Sequence, residues 1–167
     1  MRRIAVAVVA ALSLIACSSV ESTSGPREMP SPERVLEMYE ELPDKYKVPG
    51  LEPQDRVTEF NVNGWTSIDR RSLIIHAGAS RRYLVVLSNN SSELRFAKSI
   101  VVDRDSSVIR VGFDRIFVVG ETIRMPYYIQ AMFELDGREG ANAARDYIQN
   151  YDENPVEEDA ESVEAES

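Results

Sequence analysis

Between Arg56 and Ile129 the apolar residues come in short runs, and turn-forming clusters separate them at intervals of roughly 8–12 residues. Phe60 and Val62 alternate with Glu59, Asn61 and Asn63, the two-residue period of a half-buried strand, until Gly64 breaks it. Trp65 and Ile68 follow, and Asp69-Arg70-Arg71 reads as a turn. Leu73-Ile74-Ile75, closed by Gly78, and Arg82 to Leu87, closed by Ser88-Asn89-Asn90-Ser91-Ser92, are further apolar runs. Ser92 to Ala97 suits one helical turn before Ile100-Val101-Val102. Val108–Val111 and Ile116–Val119 flank Gly112-Phe113-Asp114, and Ile123–Ile129 carries Pro126, which a sheet accepts at an edge or a bulge. This spacing predicts a mainly β domain over residues 55–135. A small curled antiparallel sheet or barrel of six to seven short strands fits it, and closure into a barrel would remove exposed edges.

Helical signals bracket the β region. Ser31-Pro32 has the form of an N-cap followed by proline at the first helical position, and Val35, Leu36, Tyr39 and Leu42 recur at helical spacing until Pro43. Residues 31–54 are therefore a short N-terminal helix and an extended connector holding Pro43, Pro49, Gly50 and Pro53. After Gly137, Ala141, Ala144, Tyr147, Ile148 and Tyr151 share one face, so a C-terminal helix is expected within 136–151. Residues 152–167 form an acidic tail too polar to bury a core, expected to be disordered.

The chain is 167 residues long with a net charge of −9, but the charge is uneven. The tail takes eight of the 28 acids and Arg2-Arg3 two of the 19 bases, leaving residues 17–151 with 20 acids against 17 bases. Nucleic-acid binding needs a clustered positive surface, so nucleic acid is not an expected partner.

The first sixteen residues read as a signal peptide. Arg2-Arg3 gives a positive start, and Ile4 to Ile15 is apolar or small apart from Ser13, too short a run to span a bilayer. It ends in Leu14-Ile15-Ala16-Cys17, which closely resembles the lipobox of bacterial lipoproteins. That resemblance implies a diacylglycerol on the Cys17 thiol, cleavage before Cys17 and acylation of the new amino terminus. Residues 17–30 would then tether a domain to a membrane. By analogy with lipoprotein sorting, Ser18-Ser19 lacks the aspartate that retains proteins in the inner membrane, so the expected place is the outer membrane, facing the periplasm. Cys17 is the only cysteine, so the fold must hold by packing alone.

A second resemblance covers Val57 to about Ile129. Phe60-…-Gly64-Trp65-…-Ile68-Asp69, Arg82-Tyr83-Leu84-Val85-Val86-Leu87, Leu94-Arg95-Phe96-Ala97-…-Ile100, Phe113-Asp114-Arg115-Ile116 and a segment around Ile123 carry it. In order and spacing these pieces resemble a family of small secreted or lipid-anchored proteobacterial proteins known as a domain of unknown function. The family pattern implies cysteines after the Tyr-Leu strand and near the domain end. Asn89–Ser92 and Ile123–Met125 contain none, which removes that disulfide. The resemblance supplies no activity.

Chemistry-bearing residues are sparse. His76, the only histidine, closes an apolar strand; Asp69, Asp103 and many serines could complete a triad by count, but no serine sits in a nucleophile-elbow context. Asp103-Arg104-Asp105 begins like a calcium loop without its glycine or closing glutamate. Trp65, Tyr83, Phe113 and Phe117 could line a groove, although aromatics in a small β domain usually form its core. Arg70-Arg71 and Arg81-Arg82 stand at turns on either side of Leu73–Ala77 and are candidates for surface contact with an anionic lipid or polysaccharide. The expectation is a membrane-anchored, non-enzymatic accessory or interaction module of the cell envelope with an envelope protein as partner, and with no metal or cofactor. The alternatives are a small-ligand-binding β domain and a hydrolase using His76.

Overall fold

The computed structural model describes residues 29–58, 61–104, 106–120 and 125–151. Cys17, the signal segment, Phe60, Asp105, Ile123 and the acidic stretch from Asp152 lie outside the described residues. The elements are α1 (Pro32–Glu40), a 3-10 turn (Asp44–Tyr46), β1 (Arg56–Val57), β2 (Val62–Ser67), β3 (Ser72–Ala77), β4 (Arg81–Leu87), β5 (Ser99–Asp103), β6 (Ile109–Arg110), β7 (Arg115–Val119), β8 (Pro126–Leu135) and α2 (Gly137–Gln149). None of the described helices is long and apolar enough to cross a membrane.

The fold is mainly β, as its strand spacing requires. Six strands form one curled antiparallel sheet in the order β2-β3-β4-β8-β7-β5, and β1 pairs with β6 in a separate two-stranded ribbon. Among the described residues β2 and β5 do not pair, so the sheet curls without closing into a barrel. Two cores follow. Leu73, Ile75, Val85, Leu87, Ile116, Val118 and Ile129 fill the concave side, and the β1–β6 ribbon adds Val57 and Ile109 to them. On the convex side Ile74, Leu84, Val86 and Phe133 pack against Ala141, Ala144 and Ile148 of α2 and against Leu42 and Tyr46. β3 and β4 are thus buried on both faces, which is why their sequences are unbroken apolar runs.

β8 is the longest strand among the described residues, and its second half breaks the expected end at Ile129. Val86 pairs with Ala131 but Leu87 pairs with Ile129, so Gln130 is an extra residue in the ladder. Such a bulge reverses the alternation: Tyr127 and Ile129 face the concave core, as does Met132, while Ala131 and Phe133 face α2. Pro126 opens the strand, a position at which a missing N–H is tolerated.

Both expected helices form. The Ser31 hydroxyl accepts from the Arg34 amide at 3.3 Å, and Pro32 begins α1. Leu36 departs from its expected role: it is exposed, while Val35 and Met38 pack on the concave core and Tyr39 meets Phe133 edge-on at 6.0 Å. An exposed start to a helix that lies across a strand leaves only a narrow buried stripe. Ser92–Ala97 is a turn, with the Phe96 amide donating to the Glu93 carbonyl, and the buried Ser91 hydroxyl accepts from the Leu94 amide.

Candidate functional site

The four arginines fall into two separate places. β3 pairs with β4 from Ser72↔Val86 to Ala77↔Arg81, so Arg70-Arg71 and Arg81-Arg82 occupy opposite ends of one hairpin, about 20 Å apart at the rise of a strand. Arg70 is exposed. Arg71 is turned inward: its Nε donates to the Leu87 carbonyl at 2.7 Å and an Nη to Gln130 Oε1 at 2.6 Å. The Gln130 Nε2 in turn donates to the Met38 carbonyl at 3.0 Å, so the bulge ties the β2–β3 turn to α1.

Asp69 organises that same turn. Its Oδ1 accepts from the amides of Arg71 and Ser72 and from the Ser72 hydroxyl, each at 2.8 Å. Its Oδ2 accepts from the Tyr46 hydroxyl at 2.8 Å and meets Lys45 Nζ at 3.0 Å. Burial works to raise its pKa, but these donors outweigh burial and hold it below the ordinary carboxylate value. Burial, then the nearby Asp69 charge, pushes the Tyr46 hydroxyl well up. With both oxygens committed at one end of β3, Asp69 does not orient His76 near the other end. Burial first, then Arg82 and Arg145, lower the His76 pKa. Asp103 pairs with Arg115, and no group of three metal-ligating side chains occurs among the described residues.

Arg81 lines a polar cleft of about 290 Å³ with Gln54, Arg56, Thr58, Tyr83 and Glu134. Arg81 also hydrogen-bonds Tyr83, whose hydroxyl pKa is raised by burial and by Glu134. The inside of the curl is filled by side chains, so this cleft lies at its margin.

The other feature is a sheet face left uncovered among the described residues. α2 and the 3-10 turn cover the convex side over β3, β4 and the second half of β8. Beyond Gln130 that side carries Val101, Phe117 and Pro126 in one cross-strand row, with Ser99 opposite Val119 and Arg115 opposite Tyr128. Val101, Val119 and Tyr128 are exposed, as is Met125 just before β8. The Arg115 guanidinium lies 5.6 Å from the Phe117 ring and 5.9 Å from Tyr128. Phe117 therefore leaves the expected aromatic core, whereas Tyr83 and Phe113 are buried and Trp65 packs against the concave cluster. Phe96, in the turn before β5, is 79% exposed between the exposed Arg95 and Lys98.

A family model described as a family of unknown function, DUF6491, matches residues 1–150. The chain belongs to DUF6491. No curated protein and no solved structure matches it. Membership in DUF6491 brings no activity, so the DUF6491 chain has to be read from its own surface. Sequence reasoning passed over Phe96, Gln130, Arg56 and Glu134. Phe96 carried a signal, an aromatic in a polar turn between two cations; Gln130 carried one only as a break in strand parity.

Proposed function

We propose that this DUF6491 chain is a membrane-anchored envelope lipoprotein whose β domain is a non-enzymatic interaction module. The observation that carries the reading is Leu14-Ile15-Ala16-Cys17 at the end of a short apolar run behind Arg2-Arg3. Acyl chains contribute about 0.8 kcal/mol per buried methylene, and several together anchor a protein firmly. The face of β5, β7 and β8 supports an interaction role, because it offers apolar surface that the described residues do not cover.

The test is metabolic labelling with an alkyne fatty acid in a bacterial host, with membrane fractionation and in-cell crosslinking. The native chain incorporates label and sediments with membranes; Cys17→Ala does neither and loses its crosslinked partner. A native chain without label, recovered in the soluble fraction, overturns the reading.

A second reading, a small-ligand binder, is favoured by Arg56 and Arg81 beside the marginal cleft. Two guanidinium groups there suit an anionic carboxylate or phosphate group. Arg81→Ala would weaken such binding at least tenfold in calorimetric titration with a panel of small anions, and no heat from any of them removes this alternative.

A further inference from the structure

We infer that the end of the sheet built by Phe96, Ser99, Val119 and Met125 rests on an anionic bilayer surface, with the Arg81 cleft held away from it. The inference rests on the envelope reading and adds an orientation to it.

Three observations converge. The turn that carries Phe96 leads into β5 at Ser99, which pairs with Val119, and Met125 immediately precedes the adjoining strand β8, so the exposed Phe96, Val119 and Met125 lie at one end of the sheet. Phe96 is 79% exposed and Met125 52% exposed, far more than packing demands. Exposed Arg95 and Lys98 flank Phe96. An aromatic wedge between cations matches the bilayer interface, where the ring enters the headgroup boundary and the cations meet anionic lipid. The chain as a whole is at −9, so these cations are a local exception rather than a general surface bias.

Reach is sufficient. Met29 follows Cys17 by twelve residues, a span of at most about 40 Å. A lipid at Cys17 would hold the tip at high effective concentration near the bilayer, so a contact too weak to recruit a free protein becomes populated. β8 runs ten residues from Pro126 to Leu135, about 30 Å. Its Leu135 end pairs with Arg82, so the cleft stands that far from the tip. A protein pocket that accepts Phe96 is the competing occupant.

The experiment places a probe at each end of the full chain. Ser99→Cys and Ser80→Cys are each labelled with an environment-sensitive fluorophore, in vesicles of phosphatidylethanolamine and phosphatidylglycerol or of phosphatidylcholine alone. Acylation of Cys17 is followed separately by peptide mass. Expected is a blue shift and quenching by lipid-borne spin labels at Ser99→Cys in the anionic vesicles, with Ser80→Cys unchanged. Adding Phe96→Asp abolishes the shift, and adding Arg95→Ala with Lys98→Ala lowers the contacting fraction by about tenfold in anionic vesicles. A Ser99 probe that stays aqueous while Cys17 is acylated overturns the tip and leaves the anchor standing. A Ser99 probe that shifts on an unacylated chain overturns the anchor and keeps the tip. Equal shifts at both ends, or a Ser99 shift seen only with a crosslinked protein, overturn the orientation.

Discussion

Asp69 is the side chain through which pH should act most directly on this fold. Its folded pKa lies below the ordinary value because donors from Arg71, Ser72, Lys45 and Tyr46 outweigh burial. The stability it lends is complete above the unfolded value of about 3.9 and is lost as pH falls through the lower folded value. Asp69→Asn should cost about 2–3 kcal/mol near neutrality and flatten the acid limb, read from urea midpoints at pH 7 and pH 3. Equal acid dependence in both proteins would show that another carboxylate sets that limb. His76 acts in a higher window. Its folded pKa is depressed by burial and by Arg82 and Arg145, so its contribution is present above about 6.5 and is lost as pH falls below that value. His76→Gln should remove the dip in thermal midpoint between pH 7 and pH 5. Gln130→Ala removes the acceptor of one Arg71 Nη and the donor to the Met38 carbonyl, and should cost about 1–2 kcal/mol in urea unfolding.

At the scale of elements, the bulge lets β8 carry one extra residue while keeping each side chain in its core. Deleting Gln130 would restore strict alternation with Tyr127 and Ile129 still on the concave side and Ala131 and Phe133 still facing α2, but it would remove the bonds to Arg71 and Met38. The variant should keep a cooperative transition in near-ultraviolet circular dichroism at a lowered midpoint; a broad, non-cooperative loss would show that the bulge itself is needed to hold the two cores together. The loop between β6 and β7 is equally specific. Gly112 has φ +74°, and a Cβ there would stand 3.0 Å from both Met38 Sδ and Pro30 Cγ, so Gly112→Ala should cost about 1–3 kcal/mol. These elements also explain what was legible beforehand. Leu73–Ile75 and Tyr83–Leu87 announced themselves as strands because burial on both faces demands continuous apolar residues. Ser31-Pro32 announced α1 through local capping chemistry. The second half of β8 did not announce itself, since Gln130 breaks the period and Ala131-Met132-Phe133 alone suits helix or strand. The inward turn of Arg71 was equally hidden, because its partners Leu87 and Gln130 are brought near only by the sheet. Leu36 was misplaced because helical spacing alone does not say how wide the buried stripe is.

At the scale of the whole molecule, two cores share one sheet, and β3, β4 and β8 each enter both. β8 lies between β4 and β7, yet it is the last strand among the described residues. Until Pro126–Leu135 has emerged from a ribosome or an export channel, β2–β4 and β5–β7 are separate pieces with no shared ladder. Contacts this distant in sequence form late and make a slow folder. A chain arrested after Met125 should remain protease-sensitive along its length, while one arrested far enough past Gln149 for α2 to clear the exit should become resistant in a single step. Were the chain exported, as proposed above, this order of events would keep the polypeptide threadable until nearly all of it had been made.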